Sequence, residues 1–188
     1  MTSTTQKAGR ALLVVDVQND FMEGGTLAIA NASAILPFVN GRIVSGDYAV
    51  VIATQDLHPE NHVSFGNWPA HCVQFTRGAE LHPGLARDSV DLIWRKGLDA
   101  KVDSYGAFED NQGRSSHLAD LLQARGIVTV DIVGLATDYC VGTTALQSAE
   151  RFHTRVLLPG CRGVGMNRQD IPDMLAKMRL AGVELVEG

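Results

Sequence analysis

Residues 134–141 read Gly-Leu-Ala-Thr-Asp-Tyr-Cys-Val, and a short apolar, β-branched run at 127–133 precedes them. The preceding run is typical of a buried strand, and the apolar residues that follow recur at helical spacing. The opening glycine is predicted to end the strand, and Thr137 or Asp138 to cap the helix. Cys140 is therefore predicted to lie in the first turn of a helix, at the carboxyl end of a strand.

Cys140 is a candidate nucleophile because of this placement. Unpaired backbone N–H groups and the positive end of the helix dipole favour a thiolate there. The same N–H groups can hold the oxyanion that develops on a carbonyl substrate. The alternative is that Cys140 is a small buried residue that fills the strand–helix junction.

Strands and helices alternate along the chain. This alternation predicts a mostly parallel central sheet with helices on both faces, a three-layer αβα architecture of the Rossmann-like type. The 188 residues fit a single domain, 1–188, with a flexible tail at 1–9. The predicted strands are 11–15, 48–54, 90–94, 127–133, 154–158 and 183–186, and the predicted helices are 34–44, 116–124 and 170–180, besides the one at Cys140.

Composition and charge argue against several classes of protein. The net charge is −5 and no dense Lys/Arg cluster occurs, which disfavours nucleic acid and anionic membranes as partners. Three widely spaced cysteines do not suggest a disulfide framework. The first residues lack the apolar core of a signal peptide and no apolar run could span a bilayer, so a cytoplasmic protein is expected. The apolar edge at 183–186 is compatible with a homo-oligomer.

Chemically active side chains follow the predicted strands. In parallel α/β sheets the site lies beyond the carboxyl ends of the strands, and those ends carry Asp16, Lys96 and Cys140. A carboxylate after an apolar strand is costly unless it is paired or used, although Asp16 could instead cap the following turn. Lys96 could be an ordinary solvated residue, but near the other two its charge would favour both anions. Together they form a candidate Cys-Asp-Lys site with Asp16 as base.

A second candidate group follows the next strand. Asp56 and His58 are two residues apart in an extended segment, so their side chains leave on the same side. One further ligand would complete two imidazoles and a carboxylate, a set suited to iron(II), manganese or zinc. His71 and His62 compete for that third place, and ordinary surface polarity is the alternative explanation. Both histidines lie in a long irregular segment, which favours a functional role.

Five segments form a recognisable set in order and spacing. Residues 15–21 read Val-Asp-Val-Gln-Asn-Asp-Phe, 54–62 read Thr-Gln-Asp-Leu-His-Pro-Glu-Asn-His, and 68–73 read Trp-Pro-Ala-His-Cys-Val. Arg-Lys-Gly at 95–97 and the stretch 134–141 complete it. The chain resembles the isochorismatase-like cysteine hydrolase superfamily. Within that superfamily, the second and third segments resemble the metal-containing nicotinamidases of the pyrazinamidase type.

The resemblance implies a role for each residue of the Cys-Asp-Lys site. Cys140 would attack a carboxamide carbon, Asp16 would handle the proton, and Lys96 would support the charged pair. A cis peptide bond would precede Ala136, and the N–H groups of Ala136 and Cys140 would form the oxyanion hole.

The resemblance also implies a metal ion and a pocket. One divalent ion would be bound by Asp56, His58 and His71, with His62 a ligand only in some members. Zinc is expected, with iron and manganese as alternatives, and the ion would hold the pyridine nitrogen of the substrate. The implied pocket residues are Phe21, Trp68 and Tyr105.

The implied reaction is hydrolysis of nicotinamide to nicotinate and ammonia through a cysteine thioester, in NAD salvage, with pyrazinamide as a second substrate. Two alternatives stay open at this point. One is another hydrolase of the superfamily that acts on a different small amide or carbamoyl compound. The other is a relative that binds a ligand without turnover. The retained metal ligands argue against the first, and the intact Cys-Asp-Lys site argues against the second.

Overall fold

The computed structural model describes residues 9–188, which contain six strands and four helices. The strands are β1 (Arg10–Val15), β2 (Val50–Asp56), β3 (Leu92–Lys96), β4 (Thr129–Leu135), β5 (His153–Arg162) and β6 (Glu184–Val186). The helices are α1 (Leu36–Val44), α2 (Leu118–Ala124), α3 (Cys140–Ala149) and α4 (Asp170–Leu180). The tail predicted at 1–9 lies outside the described residues except for Gly9, whose carbonyl accepts hydrogen bonds from Val128 and Thr129.

All six strands pair in parallel, in the order β3-β2-β1-β4-β5-β6. The predicted, mostly parallel Rossmann-like sheet is therefore confirmed. The order reverses direction between β1 and β4, and in such sheets a crevice opens at that point beyond the carboxyl ends of the strands. The topology thus places the ends of β1 and β4 side by side, with β2 next to β1 and β3 beyond β2.

Alternating side chains of the strands point to two cores on opposite faces of the sheet. Leu13 on β1 belongs to the core that α2, α3 and α4 cover. Its neighbour Leu12 belongs to the other core, which α1 and irregular segments cover. Each fully buried large apolar side chain contributes about 1.5–3 kcal/mol relative to exposure. These two cores confirm the three-layer prediction.

The strand boundaries differ from prediction at the site end of the sheet. β2, β3 and β4 each begin and end two residues later than predicted, because their polar or glycine residues at the carboxyl end still pair with the neighbouring strand. The glycine that was predicted to end β4, Gly134, lies inside the strand with a φ of +122°. A Cβ there would come within 2.7 Å of the Val15 backbone nitrogen, so this glycine permits the close approach of β1 and β4.

The helices are short, and α4 is the longest with 11 residues. Pro37 lies in the first turn of α1, which begins two residues later than predicted, after a 3-10 turn at Ala32–Ile35. None of the helices within residues 9–188 is both long and apolar enough to cross a bilayer.

Candidate active site

Asp16, Lys96 and Cys140 lie together at the carboxyl edge of the sheet. Asp16 directly follows β1, Lys96 ends β3, and Cys140 begins α3 after β4. Lys96 Nζ lies 2.9 Å from Asp16 Oδ2 and 3.6 Å from Cys140 Sγ. All three side chains are buried, with relative exposures of 0 %, 5 % and 7 % in chain order. The three residues predicted from separate strand ends therefore share one buried site.

The two oxygens of the Asp16 carboxylate have different partners. Thr54 Oγ1 donates a 2.6 Å hydrogen bond to Asp16 Oδ1. Asp16 Oδ2 faces Lys96, but no donor among residues 9–188 is aligned to hydrogen-bond it. Burial raises the pKa of Asp16 by more than Lys96 lowers it. Oδ2 is thus an oxygen of increased basicity that can accept a proton. The alternative of a turn cap is not observed, since the following N–H groups donate to backbone carbonyls.

Lys96 is the cation of the site. Its Nζ donates hydrogen bonds to Asp56 Oδ1 at 2.6 Å and to the Ser104 carbonyl at 3.0 Å. Burial opposes the charge of Lys96, but Asp16 and Asp56 outweigh it and hold its pKa well above the ordinary value. Lys96 is therefore a fixed positive charge between two carboxylates, and not a solvated surface residue.

The surroundings of Cys140 favour its protonated thiol. Burial raises its pKa well above the ordinary value, and the nearby charges of Asp16 and Asp56 add to this, while Lys96 lowers it. The start of a helix was expected to favour a thiolate, but burial and two carboxylates raise the pKa of Cys140 by more than Lys96 lowers it. The capping prediction is wrong: Tyr139 precedes the helix and makes no side-chain cap. Asp138 instead accepts hydrogen bonds from the Val164 and Gly165 N–H groups, both at 2.8 Å.

Two backbone N–H groups are available near the thiol. The peptide bond between Leu135 and Ala136 is cis, as the resemblance implied. The Ala136 carbonyl accepts from the N–H groups of Tyr139 and Val141, whereas the N–H groups of Ala136 and Cys140 donate to no acceptor within residues 9–188. Unpaired donors beside a candidate nucleophile are the feature that an oxyanion hole requires.

Asp56, His58 and His71 bring three potential metal ligands within 4.8 Å of one another. His58 Nδ1 donates to the Gly97 carbonyl at 3.0 Å and His71 Nδ1 donates to the Pro69 carbonyl at 2.8 Å, since a carbonyl can only accept. Nε2 is therefore the nitrogen of each ring that is left to bind a metal ion, the usual arrangement of metal-binding histidines. Burial lowers the pKa of His58 to about 4, so its ring is neutral at physiological pH. This donor set fits a divalent transition metal ion.

His62 lies beside this group but turns its nitrogens elsewhere. Its ring stacks on that of His58 with centroids 3.9 Å apart. Nδ1 accepts from the Ser64 N–H, and Nε2 lies 3.3 Å from the Val102 carbonyl. Both nitrogens of His62 thus have partners within the protein, although His62 also forms a second possible ligand group with His58 and Asp103.

Gly97 is expected to be essential to the position of His58. It adopts a φ of +67°, and a Cβ added there would lie 2.6 Å from His58 Nδ1. We expect Gly97→Ala to weaken zinc binding by about 10-fold or more, because the ring must move away from its carbonyl partner. Equilibrium zinc titration against a competing chelator measures this.

Gly113→Ala is the matched control for that prediction. Gly113 has a similar φ of +76°, but nothing lies within 4 Å of its added Cβ. Both variants bear the backbone cost of a positive φ, and only Gly97→Ala adds the clash. Equal zinc affinities of the two variants would show that the close approach to His58 has no role in metal binding.

One pocket joins the two groups of residues. Cys140, Asp56 and His71 all line it. The predicted pocket residues Phe21, Trp68 and Tyr105 also line it, together with Tyr139, Leu27, Ile29, Leu135, Ala136 and Val164. The aromatic rings form a wall suited to a flat ring, because flat faces make offset or edge contacts with one another.

Several residues of the site were not found from the sequence. Tyr139 contacts the Trp68 ring edge-on, with centroids 5.1 Å apart. Its position next to Cys140 in the sequence could have identified it as a pocket residue. Thr54 and Ser104 act through one hydroxyl and one backbone carbonyl, for which the sequence offers no pattern. Gln18 lies in the first recognised segment, but nothing in the sequence indicates which groups its amide contacts.

The fold and the site define the class of protein: an α/β protein with a buried cysteine, lysine and aspartate beside a group of metal ligands. A family model described as the isochorismatase domain matches residues 10–186. The chain belongs to the isochorismatase domain family.

Three similar proteins carry more specific descriptions. A nicotinamidase from Acinetobacter baylyi is 41% identical, over 84% of this chain and 83% of that protein. A protein from L. infantum, solved in complex with nicotinate, is 34% identical with a TM-score of 0.93, covering 100% of this chain and 96% of the other. The pyrazinamidase of Pyrococcus horikoshii, solved in complex with zinc, is 37% identical with a TM-score of 0.83, covering 96% and 99%.

Proposed function

We propose that this chain is a metal-dependent cysteine amidohydrolase that converts nicotinamide to nicotinate and ammonia through a thioester on Cys140, and that it also deamidates pyrazinamide. The observation that carries the proposal is the single pocket lined by Cys140, by Asp56 and His71, and by aromatic rings. A ring nitrogen and a carboxamide are the two polar features that such a pocket distinguishes. The descriptions of the similar proteins name the same substrate and product classes.

Formation of the thioester uses the Cys-Asp-Lys site. The Cys140 thiol gives its proton to Asp16 as the sulfur attacks the carboxamide carbon and the C–S bond forms. The raised pKa of Asp16 suits it to this role as a base. The free N–H groups of Ala136 and Cys140 hold the oxyanion. Asp16 then returns the proton to the nitrogen, the C–N bond breaks, and ammonia leaves.

Hydrolysis of the thioester regenerates the protein. A water molecule gives one proton to Asp16 and attacks the same carbon, and the C–S bond breaks to release nicotinic acid, which loses its remaining proton to solvent and becomes nicotinate. The sulfur recovers its proton from Asp16, which restores the resting thiol. Lys96 Nζ lies 3.6 Å from the sulfur and 2.9 Å from Asp16 Oδ2, a position from which its charge can stabilise whichever of the two is the anion.

Asp56, His58 and His71 are the residues proposed to hold the metal ion, which we propose to be zinc, with iron or manganese as alternatives. When bound, the ion supplies a ligand position for the ring nitrogen and so orients the substrate. Trp68, Tyr105 and Phe21 are proposed to enclose the ring. The three cysteines are free and buried, which supports a proposed cytoplasmic location. The proposed reaction would serve NAD salvage there.

Ammonia release from nicotinamide tests the proposal directly. The parent protein, supplied with zinc, iron(II) or manganese, is expected to release ammonia. His71→Ala is expected to lower kcat/KM by about 100-fold, because a misplaced ring reacts slowly. His82→Ala is the matched control, since His82 lies in a loop outside the ligand group and should leave the rate unchanged.

Benzamide and a panel of small amides separate the remaining possibilities. Benzamide has the same shape without the ring nitrogen, so it should be a much poorer substrate than nicotinamide. No ammonia from nicotinamide with any of the three metals would disprove the proposal. Release from another amide or a carbamoyl compound would then indicate a different hydrolase of the family.

A further inference from the structure

The side-chain amide of Gln18 holds the main chain of Asp56. Gln18 Oε1 accepts a 2.8 Å hydrogen bond from the Asp56 N–H, and Nε2 donates a 2.7 Å bond to the Asp56 carbonyl. Nε2 also donates to the Ala79 carbonyl at 2.8 Å. Gln18 is fully buried, and both of its N–H groups are used. A buried amide with every donor satisfied has one well-defined orientation.

These bonds replace a missing strand partner. β1 and β2 pair only from Ala11↔Val50 to Val14↔Ala53, whereas Asp56 lies three residues beyond that last pair. On its other side, Asp56 still pairs with Lys96 of β3. Gln18 therefore supplies, from a side chain, the donor and the acceptor that a neighbouring strand would give from its backbone.

Asp56 is the residue where the two parts of the site meet. Its Oδ1 lies 2.6 Å from Lys96 Nζ, and its Oδ2 lies 3.7 Å from His58 Nε2. A change in the main-chain direction at Asp56 would move both oxygens, one relative to the lysine and the other relative to the histidines. The amide of Gln18 is thus placed to fix both relations.

We propose that Gln18 is a positioning residue that sets the Asp56 carboxylate between Lys96 and the metal ligands. The inference rests on the proposed function only in taking Asp56, His58 and His71 as the metal ligands. Gln18 itself touches neither the pocket nor Cys140, and it acts through the backbone of Asp56.

Zinc affinity of the metal-free protein is the measurement that tests this. Gln18→Met has a side chain of similar length that can neither donate nor accept as the amide does. We expect it to weaken zinc binding by about 10–100-fold in competition with a chelator, as loss of groups that orient metal ligands does. Gln18→Glu keeps an acceptor for the Asp56 N–H but loses the amide donors, and it should lie between Gln18→Met and the parent.

Gln55→Met is the matched control. Gln55 Nε2 donates to the same Ala79 carbonyl at 2.8 Å but makes no contact with the Asp56 backbone among the hydrogen bonds of residues 9–188. It should therefore retain the zinc affinity of the parent. Thermal unfolding of each metal-free variant identifies those that fold.

The outcomes are distinct. Folded Gln18→Met that binds zinc as tightly as the parent would overturn the inference and leave the proposed function standing. Failure of both Gln18 variants to fold would assign Gln18 to the stability of the fold and overturn the inference as well. A parent protein that binds no zinc, iron(II) or manganese would instead remove the metal site from the proposed function.

Discussion

Cys140→Ala is expected to lower kcat/KM for nicotinamide by about 10⁴-fold or more, because the thioester can no longer form. The fold should persist, since the substitution removes one sulfur atom from a buried position. Burial raises the pKa of the Cys140 thiol, so its removal is not expected to disturb the ion pairs that Lys96 forms with Asp16 and Asp56. Ammonia release and thermal unfolding of the same preparation measure the two effects.

Cys161→Ala is the control for a buried cysteine that the mechanism does not use. Cys161 is 4 % exposed and lies on β5, with its thiol against the Leu157 carbonyl. Its loss should leave the rate close to that of the parent. In the parent, mass spectrometry of quenched reactions should detect the acyl group on Cys140. A Cys140→Ala protein that still turns over nicotinamide at a substantial fraction of the parental rate would exclude the thioester mechanism.

Lys96→Met is expected to lower the free energy of unfolding by about 3–5 kcal/mol and to abolish ammonia release, because it leaves two buried carboxylates without their cation. Asp16 and Asp56 are 0 % and 4 % exposed, and both contact Lys96 Nζ within 2.9 Å. His58, the other basic partner of Asp56, is neutral and cannot replace the charge. Methionine keeps the length and the apolar stem of the lysine side chain. The decrease in the free energy of unfolding therefore reflects the missing charge more than a change in packing. Denaturant unfolding of the metal-free proteins measures it.

The pH dependence of that loss gives an independent check. Burial already raises the pKa of Asp16 in the parent, and removal of Lys96 takes away the main interaction that lowers it. When a carboxyl group has a higher pKa in the folded state than in the unfolded state, the folded protein binds more protons between those two pKa values. The free energy of unfolding therefore falls as the pH rises above the pKa of the unfolded chain. The difference in free energy of unfolding between the parent and Lys96→Met should therefore be smaller at mildly acidic pH. If this difference in free energy of unfolding did not change with pH, the loss of the buried positive charge could not be its cause.

Lys101→Met is the control for that substitution. Lys101 is exposed, and its side chain takes part in no ion pair among the described residues. We expect a change in the free energy of unfolding within about 0.5 kcal/mol. A loss as large as that of Lys96→Met would show that the methionine itself, and not the buried charge, is responsible.

The sequence was sufficient to predict that Asp16, Lys96 and Cys140 converge. Parallel strands present their carboxyl ends at one edge, so residues that follow β1, β3 and β4 share a neighbourhood whatever the details of the helices. The ligand group at Asp56, His58 and His71 was reached differently, since the choice between His62 and His71 depended on the family resemblance.

Other features depend on three-dimensional contacts that no local pattern encodes. The thiol state of Cys140 depends on two carboxylates that meet it only in the folded chain. Gly134 appears in the sequence as a strand terminator, yet the closeness of β1 gives it a role inside β4. Gln18 has no sequence signal beyond its segment, because its partners are the backbone of Asp56 and of Ala79.

The hydrogen bonds of Asp138 have a consequence for substrate size. They join the turn before Cys140 to Val164, which lines the same pocket, so the nucleophile and that stretch of wall form one rigid unit. A bulkier ring cannot enter by displacement of this loop without breaking both bonds. Directed evolution toward larger heteroaromatic amides should therefore select smaller side chains at Leu27 or Ile29, and it should leave Asp138 unchanged.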